Sequence, residues 1–300
     1  MKLRILFLIA GAVLFSTPNV LAQKTERSAR VAVLDFGNSA FGRQAADDLY
    51  AALSSEKKLS LLDREQARTA ARGAGYTGSL NMTLAGARDL GAAIGCDFYI
   101  TGNAETLRRS ASNRPVYYES YAAIFLVSAR SGSLLRWQRP AVEASTPEGA
   151  EKPLRTDLSK PTAREWVIEG VLQAMQNERD ERARALEVTV PVIEEVPDED
   201  SPAATALQTP RPYRRLRPAY PDSAARADAE ATVDALVDID EKGEVGQVKI
   251  VRWGGFGLDE ATKDTVQHLH FYPAMRNGQP VSLRVLLRYN FRKPPPEPKK

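Results

Sequence analysis

The sequence predicts an α/β layer domain with a mixed sheet, then a linker, then a small β-β-α-β unit of α+β type. Short apolar runs alternate with helical periodicity over the first half and then give way to a hairpin. Residues 188–212 lose all period and gain proline and acid. Two strands, one amphipathic helix and a last apolar strand then fit into fewer than 90 residues. The chain's 300 residues suffice for two such domains, and a hydrophobic content of 43% can fill their cores.

The first segment reads as an export signal. Lys2 and Arg4 precede residues 5–15, which carry no charge, and small or aliphatic residues lead to Gln23. This is the order of a secretory signal peptide over residues 1–22. A retained signal anchor is the alternative: the uncharged stretch 5–22 is barely one span long, and its second half holds Ser16, Thr17, Pro18 and Asn19. Cys96 is the single cysteine, which excludes an intrachain disulfide, and no cysteine follows the apolar run to carry a lipid.

The α/β domain occupies residues 23–187. "RVAVLDFGN" is a buried-strand run ending at glycine, and "GRQAADDLYAALSSEKK" spaces Ala45, Leu49, Ala52 and Leu53 as a helix does. "LSLLD" is a second strand and "REQARTAARGAG" a helix stopped by glycines. "NMTLAGARDLGAAIG" is another helix, with Asn81 as its expected N-cap. "CDFYITGNAETL" gives a third strand. "VYYESYAAIFLVSARSGSLLRWQRPAV" gives a long strand, a Ser-Gly turn and its hairpin partner. Residues 139–160 read as a long exposed loop. A charged helix follows from Pro161 to about Glu187, with Trp166, Ile168, Val171, Leu172 and Met175 as its stripe.

Residues 188–212 hold five prolines, four of them before Arg211, and an acidic cluster, the marks of a semi-extended linker. The C-terminal unit spans 213–292. "RPAYPDSAARAD" turns into a short helix, "EATVDALVDID" alternates as a strand, "EKGEV" turns and "VGQVKIVRW" is a second strand. "GLDEATKDTVQHL" is an amphipathic helix and "VSLRVLLRYNF" the last strand. The tail 293–300 is polar, proline-rich and expected to be disordered.

No motif builds an active site, so neither an enzyme nor a cofactor is expected. Asp35-Phe36-Gly37 matches a kinase metal-binding triplet but lacks a preceding catalytic loop. "GNSAFGRQ" has phosphate-loop glycine spacing, yet Arg43 and Gln44 stand where Lys and Ser/Thr are needed. His268 and His270, the only histidines, fall on different faces at a helix end with no third metal ligand nearby. Cys96 reads as a small buried residue, and Asp63-Arg64-Glu65 as a local salt-bridged cap or an interface element. Basic and acidic residues balance at 41 to 38, which is no footprint for nucleic acid. The cluster Arg211, Arg214, Arg215 and Arg217 follows the acidic linker and reads as a solvated charge run.

Tyr220-Pro221, the strand at 232–240, the Lys242-Gly243 turn, the strand at 245–253, Leu258-Asp259 and "FYPAMRNGQPV" occur in an order that resembles the C-terminal domain of TonB-family energy transducers. Two positions depart from the family pattern. Glu230-Ala231-Thr232-Val233 replaces a Gly-x-Val entry, and Trp253-Gly254-Gly255 replaces a Ser-Ser-Gly-like turn. The resemblance implies that the last strand stays an open sheet edge. The TonB-box peptide of an outer-membrane TonB-dependent transporter would add to it as a strand. It assigns partner binding to Ser282, Leu283, Arg284, Val285, Leu286, Leu287, Arg288, Tyr289, Asn290 and Phe291, flanked by Tyr220 and Pro221. An open edge needs a guard against aggregation, and Arg284 and Arg288 are candidates.

The first domain resembles, more loosely, the α/β module of TolB N-terminal or CsgG-like envelope proteins, through "VAVLDFGN", "LSLLDREQ" and "AGARDLGAAIGCDFYITGNAE". Together these imply a periplasmic, non-enzymatic binding protein. If the N-terminal segment is retained as an anchor, they imply an energy transducer engaging an ExbB/ExbD-like motor. An envelope-assembly protein that uses the TonB-like unit to form homodimers or larger oligomers is the alternative.

Overall fold

Strand β1 (Ala29–Phe36) lies between β2 (Leu59–Leu61) and β4 (Phe98–Ala111), parallel to both. β5 (Arg114–Ser128) runs antiparallel to β4 along almost its whole length, and its far side carries β6 (Leu134–Gln138) and β7 (Ala141–Ala144). The result is the expected mixed sheet, in the order β2-β1-β4-β5-β6. The computed structural model from which this description is drawn describes residues 28–111, 114–187, 193–197 and 206–293. The signal segment 1–22 and tail residues 294–300 lie outside the described residues.

Alternation along these strands sends neighbouring side chains to opposite faces. Val31, Val33, Ile100, Ile124 and Leu126 meet helices α1 (Ala40–Leu53), α4 (Pro147–Leu158) and α5 (Pro161–Glu187), through Leu49, Leu53, Leu154, Leu158, Val167 and Val171. The opposite face carries Ala32, Leu34, Tyr99, Tyr121, Ala123, Phe125 and Val127. Helices α2 (Arg64–Gly73) and α3 (Leu84–Ile94) cover only part of it, through Ala67, Ala71, Ala87, Leu90 and Ile94. The C-terminal unit covers the rest.

That unit opens with helix α6 (Asp222–Arg226). β11 (Ala231–Ile239) pairs with β12 (Val245–Trp253) on one side and with β16 (Leu283–Phe291) on the other, both antiparallel. Helix α7 (Leu258–Gln267) packs Val266 onto Ala235, Val237 and Ile239, with Leu269 and Phe271 completing that core. The "RNGQP" bend is a hairpin of β14 (Ala274–Arg276) and β15 (Gln279–Val281). Asn277 and Gly278 both take positive φ, +50° and +81°, as a two-residue hairpin loop demands.

Three expectations are corrected here. Thr83, not Asn81, caps α3, with its side chain accepting from Gly86 N; Asn81 reaches across to the other domain instead. Residues 139–160 are not one loop. They contain β7 and α4, whose start carries an N-cap threonine (Thr146) followed by proline (Pro147), a helix signal that reading the stretch as polar loop overlooked. The linker is not free of structure where it is described. Its segments β8 (Glu194–Glu195), β9 (Leu207–Gln208) and β10 (Arg211–Pro212) pair with β16, β14 and β13 (Phe271–Tyr272).

Candidate functional site

The sheet order β3-β12-β11-β16-β8 makes its two edges the natural places to look for function. At one edge, β3 (Met82–Thr83) of the first domain pairs antiparallel with Trp253 and Arg252 of β12. At the other, β8 runs parallel to β16 over Leu283 and Arg284 only. Among the described residues nothing pairs with the outer side of residues 285–291. A groove of about 360 Å³ lies between Leu287, Arg288 and Tyr289 of β16 and the segment Pro212, Arg215, Leu216 and Arg217; Leu269 and Phe271 also line it. Backbone groups on an unpaired edge beside an apolar groove can take an extended peptide, the first by hydrogen bonding and the second by side-chain packing.

One face of β16 turns Val285, Leu287 and Tyr289 to the core, and the other bears Arg284, Leu286 and Arg288. Both arginines sit opposite aspartates of β11. Arg288 donates to Asp234 at 2.7 and 3.0 Å, and Arg284 to Asp238 at 2.6 and 2.9 Å. Arg252 adds a third bond to Asp234 at 3.1 Å. The hydrogen bonds from Arg288, then from Arg252, outweigh burial and hold the Asp234 carboxyl below the usual carboxylate range. These arginines are thus engaged within the sheet, pinning β16 to β11 in register, while Leu286 between them is 51% exposed.

The Trp253-Gly254-Gly255 departure has a different role. Trp253 is 1% exposed, stacks on Phe125 at 6.1 Å and donates from Nε1 to Gly132 O at 3.0 Å. Gly255 has φ +66°, and a Cβ there would stand 2.0 Å from the Phe125 ring, so only glycine lets the loop approach so closely. Phe256 meets Phe125 edge-on at 5.3 Å. Gly254 N and Gly255 N both donate to Asp259 at 2.9 Å, and burial pushes that carboxyl up to about 7. Asn81 completes the joint. Its amide donates to Thr232 O at 2.7 Å and Trp253 O at 2.8 Å, and its carbonyl accepts from Thr232 N at 3.1 Å. The two domains therefore share one hydrophobic core.

The remaining sequence candidates scatter. Tyr220 donates to Ala229 O at 2.8 Å and packs against the shared core that also buries Phe291, while Pro221 starts α6 and lies against Gly257. Neither lines the groove beside residues 287–289. His268 ends α7 and His270 meets Glu244 at 3.0 Å; both are largely exposed. Asp35 is held by Arg64 at 2.6 Å, and Arg64 also reaches Asp47 rather than Glu65. Asp63 caps α2. Cys96 is half-buried, and burial raises its thiol to about 12, which makes it a poor nucleophile. No cluster of metal-ligating side chains occurs among the described residues, and none of their helices is long and apolar enough to cross a membrane.

A small helix-backed antiparallel sheet, docked at one corner on the first domain, defines a protein-interaction domain. Residues 217–292 match the family described as Gram-negative bacterial TonB protein C-terminal, so this unit is a TonB C-terminal domain. No curated protein matches the chain. Among solved structures, the chain is similar in part to the Pseudomonas aeruginosa TonB C-terminal domain, at 18% identity over 36% of this chain and 98% of that one, TM-score 0.26. Escherichia coli LpoB matches at 19% identity over 40% and 59% of the two chains, TM-score 0.29. The Chlamydia trachomatis hypothetical protein CT253 matches at 11% over 44% and 93%, TM-score 0.32.

Proposed function

We propose that this is a non-enzymatic periplasmic adaptor whose C-terminal domain takes an extended segment of an outer-membrane TonB-dependent transporter, or of another envelope partner, as an added strand on β16. The observation that carries this reading is the outer side of residues 285–291, unpaired among the described residues, next to the groove at Leu216, Phe271 and Leu287. The first domain supplies a mount that docks on the Trp253 end of the other edge. If the N-terminal segment is retained as an anchor, the same arrangement lets the chain transmit force from an ExbB/ExbD-like motor as an energy transducer.

The test is an amide titration of the mature full chain with TonB-box peptides, because the shared core argues against using the C-terminal unit alone. Shifts and slowed exchange confined to residues 285–291 are expected. Unchanged amides there at saturating peptide would sink strand addition of such peptides. The N-terminus of the native protein, read by mass spectrometry, decides between adaptor and transducer: a chain beginning at Gln23 has no anchor in this segment.

A further inference from the structure

We infer that the strand accepted by β16 is an acidic one, and that β8 of the chain's own linker holds its place until it arrives. This rests on the strand-addition reading above. β8 is already an added strand: Glu194 faces Leu283 and Glu195 faces Arg284 in parallel register. Its charge is matched, since Arg276 Nη2 donates to Glu194 Oε1 at 2.6 Å. Farther along, the groove is rimmed by Arg215 and Arg217, both exposed and making no ion pair among the described residues. An edge with apolar pockets and unanswered cations selects a guest that brings carboxylates.

β8 is built to be displaced. It pairs over two residues, and its partly exposed ion pair is of the kind that adds little stability. Val196-Pro197 then ends it, because proline has no N–H to continue a ladder. The 285–291 edge is left unpaired among the described residues. A guest with the same acidic start and no proline for five or more residues would pair over both stretches and outcompete it.

Two synthetic decapeptides test this on the mature full chain. One is the linker's own 191–200 sequence with its central proline replaced, PVIEEVTDED; the other, PVIKKVTKKK, reverses its charges. Each is titrated against the wild type and the Glu194→Lys, Glu195→Lys double variant, whose altered side chains are exposed and leave both cores intact. The acidic peptide should bind the variant about tenfold more tightly than the wild type and slow exchange at 283–291; the basic peptide should bind neither. Equal affinity for wild type and variant would overturn the place-holding role. Equal affinity for the two peptides would overturn the charge selection, and no acidic-peptide binding to the variant would overturn both. Strand addition itself is judged separately by the TonB-box titration, so the two failures are distinguishable.

Discussion

The two edges of the C-terminal sheet are met by different parts of the chain. At its Arg252–Trp253 end the β12 edge is docked on the other domain by β3, by Asn81 and by an aromatic stack reaching Phe125. Among the described residues, the β16 edge meets two residues of the chain's own linker. Both edges offer the same backbone groups, so the difference comes from side chains and from what stands behind them. At β12, Trp253 and the following glycines let a second domain dock tightly. At β16, arginines committed to Asp234 and Asp238 tie the strand to β11, and its outer side beyond Arg284 is unpaired among the described residues. A single small domain is thereby oriented: one corner is bonded to the first domain, and the outer side of residues 285–291 is unpaired among the described residues.

The largest effect should come from breaking the docked corner at Trp253. Trp253→Ala removes a ring that is 1% exposed between the domains. It should cost about 3–5 kcal/mol, as large-to-small core changes do. Because the core is shared, chemical denaturation should show both domains losing stability together in one transition; loss confined to the C-terminal domain would contradict the shared core.

Next comes pH. Asp259 is raised from 3.8 to about 7 by burial, against the pull of its two backbone N–H bonds. The folded state thus binds a proton that the unfolded chain releases, and this contribution is full below pH 4 and lost as pH rises toward 7. Wild type should lose on the order of 3 kcal/mol relative to Asp259→Asn across that window. Parallel stability profiles for the two proteins would refute the assignment.

Asn81→Ala should cost less, about 2 kcal/mol, by leaving backbone groups of Thr232 and Trp253 without partners. Exchange at Thr232 should rise while that at residues 285–289 stays unchanged, separating the two edges.

Much of this architecture is legible in the residues themselves. Period-2 and period-3.6 patterns mark the main strands and helices, and the ordered motifs from Tyr220 to Phe291 mark the C-terminal domain. The missed helix α4 was also legible, through Thr146 and Pro147. So was a hint of the docking. The run at 121–127 is apolar on both faces, and a strand buried on both sides requires a cover that α2 and α3 are too short to provide.

The sequence by itself determined which segments are strands and helices, and that the last strand is amphipathic and arginine-bearing, because those properties depend on local spacing. Only the tertiary structure decided that the Trp253-Gly254-Gly255 turn is an interdomain joint, that Asn81 bridges rather than caps, and that the linker lies on β16. Each of these depends on contacts between residues far apart in the chain, 172 positions in the case of Asn81 and Trp253. No local pattern encodes such a contact, because the free energy that selects it arises only when both surfaces leave water together.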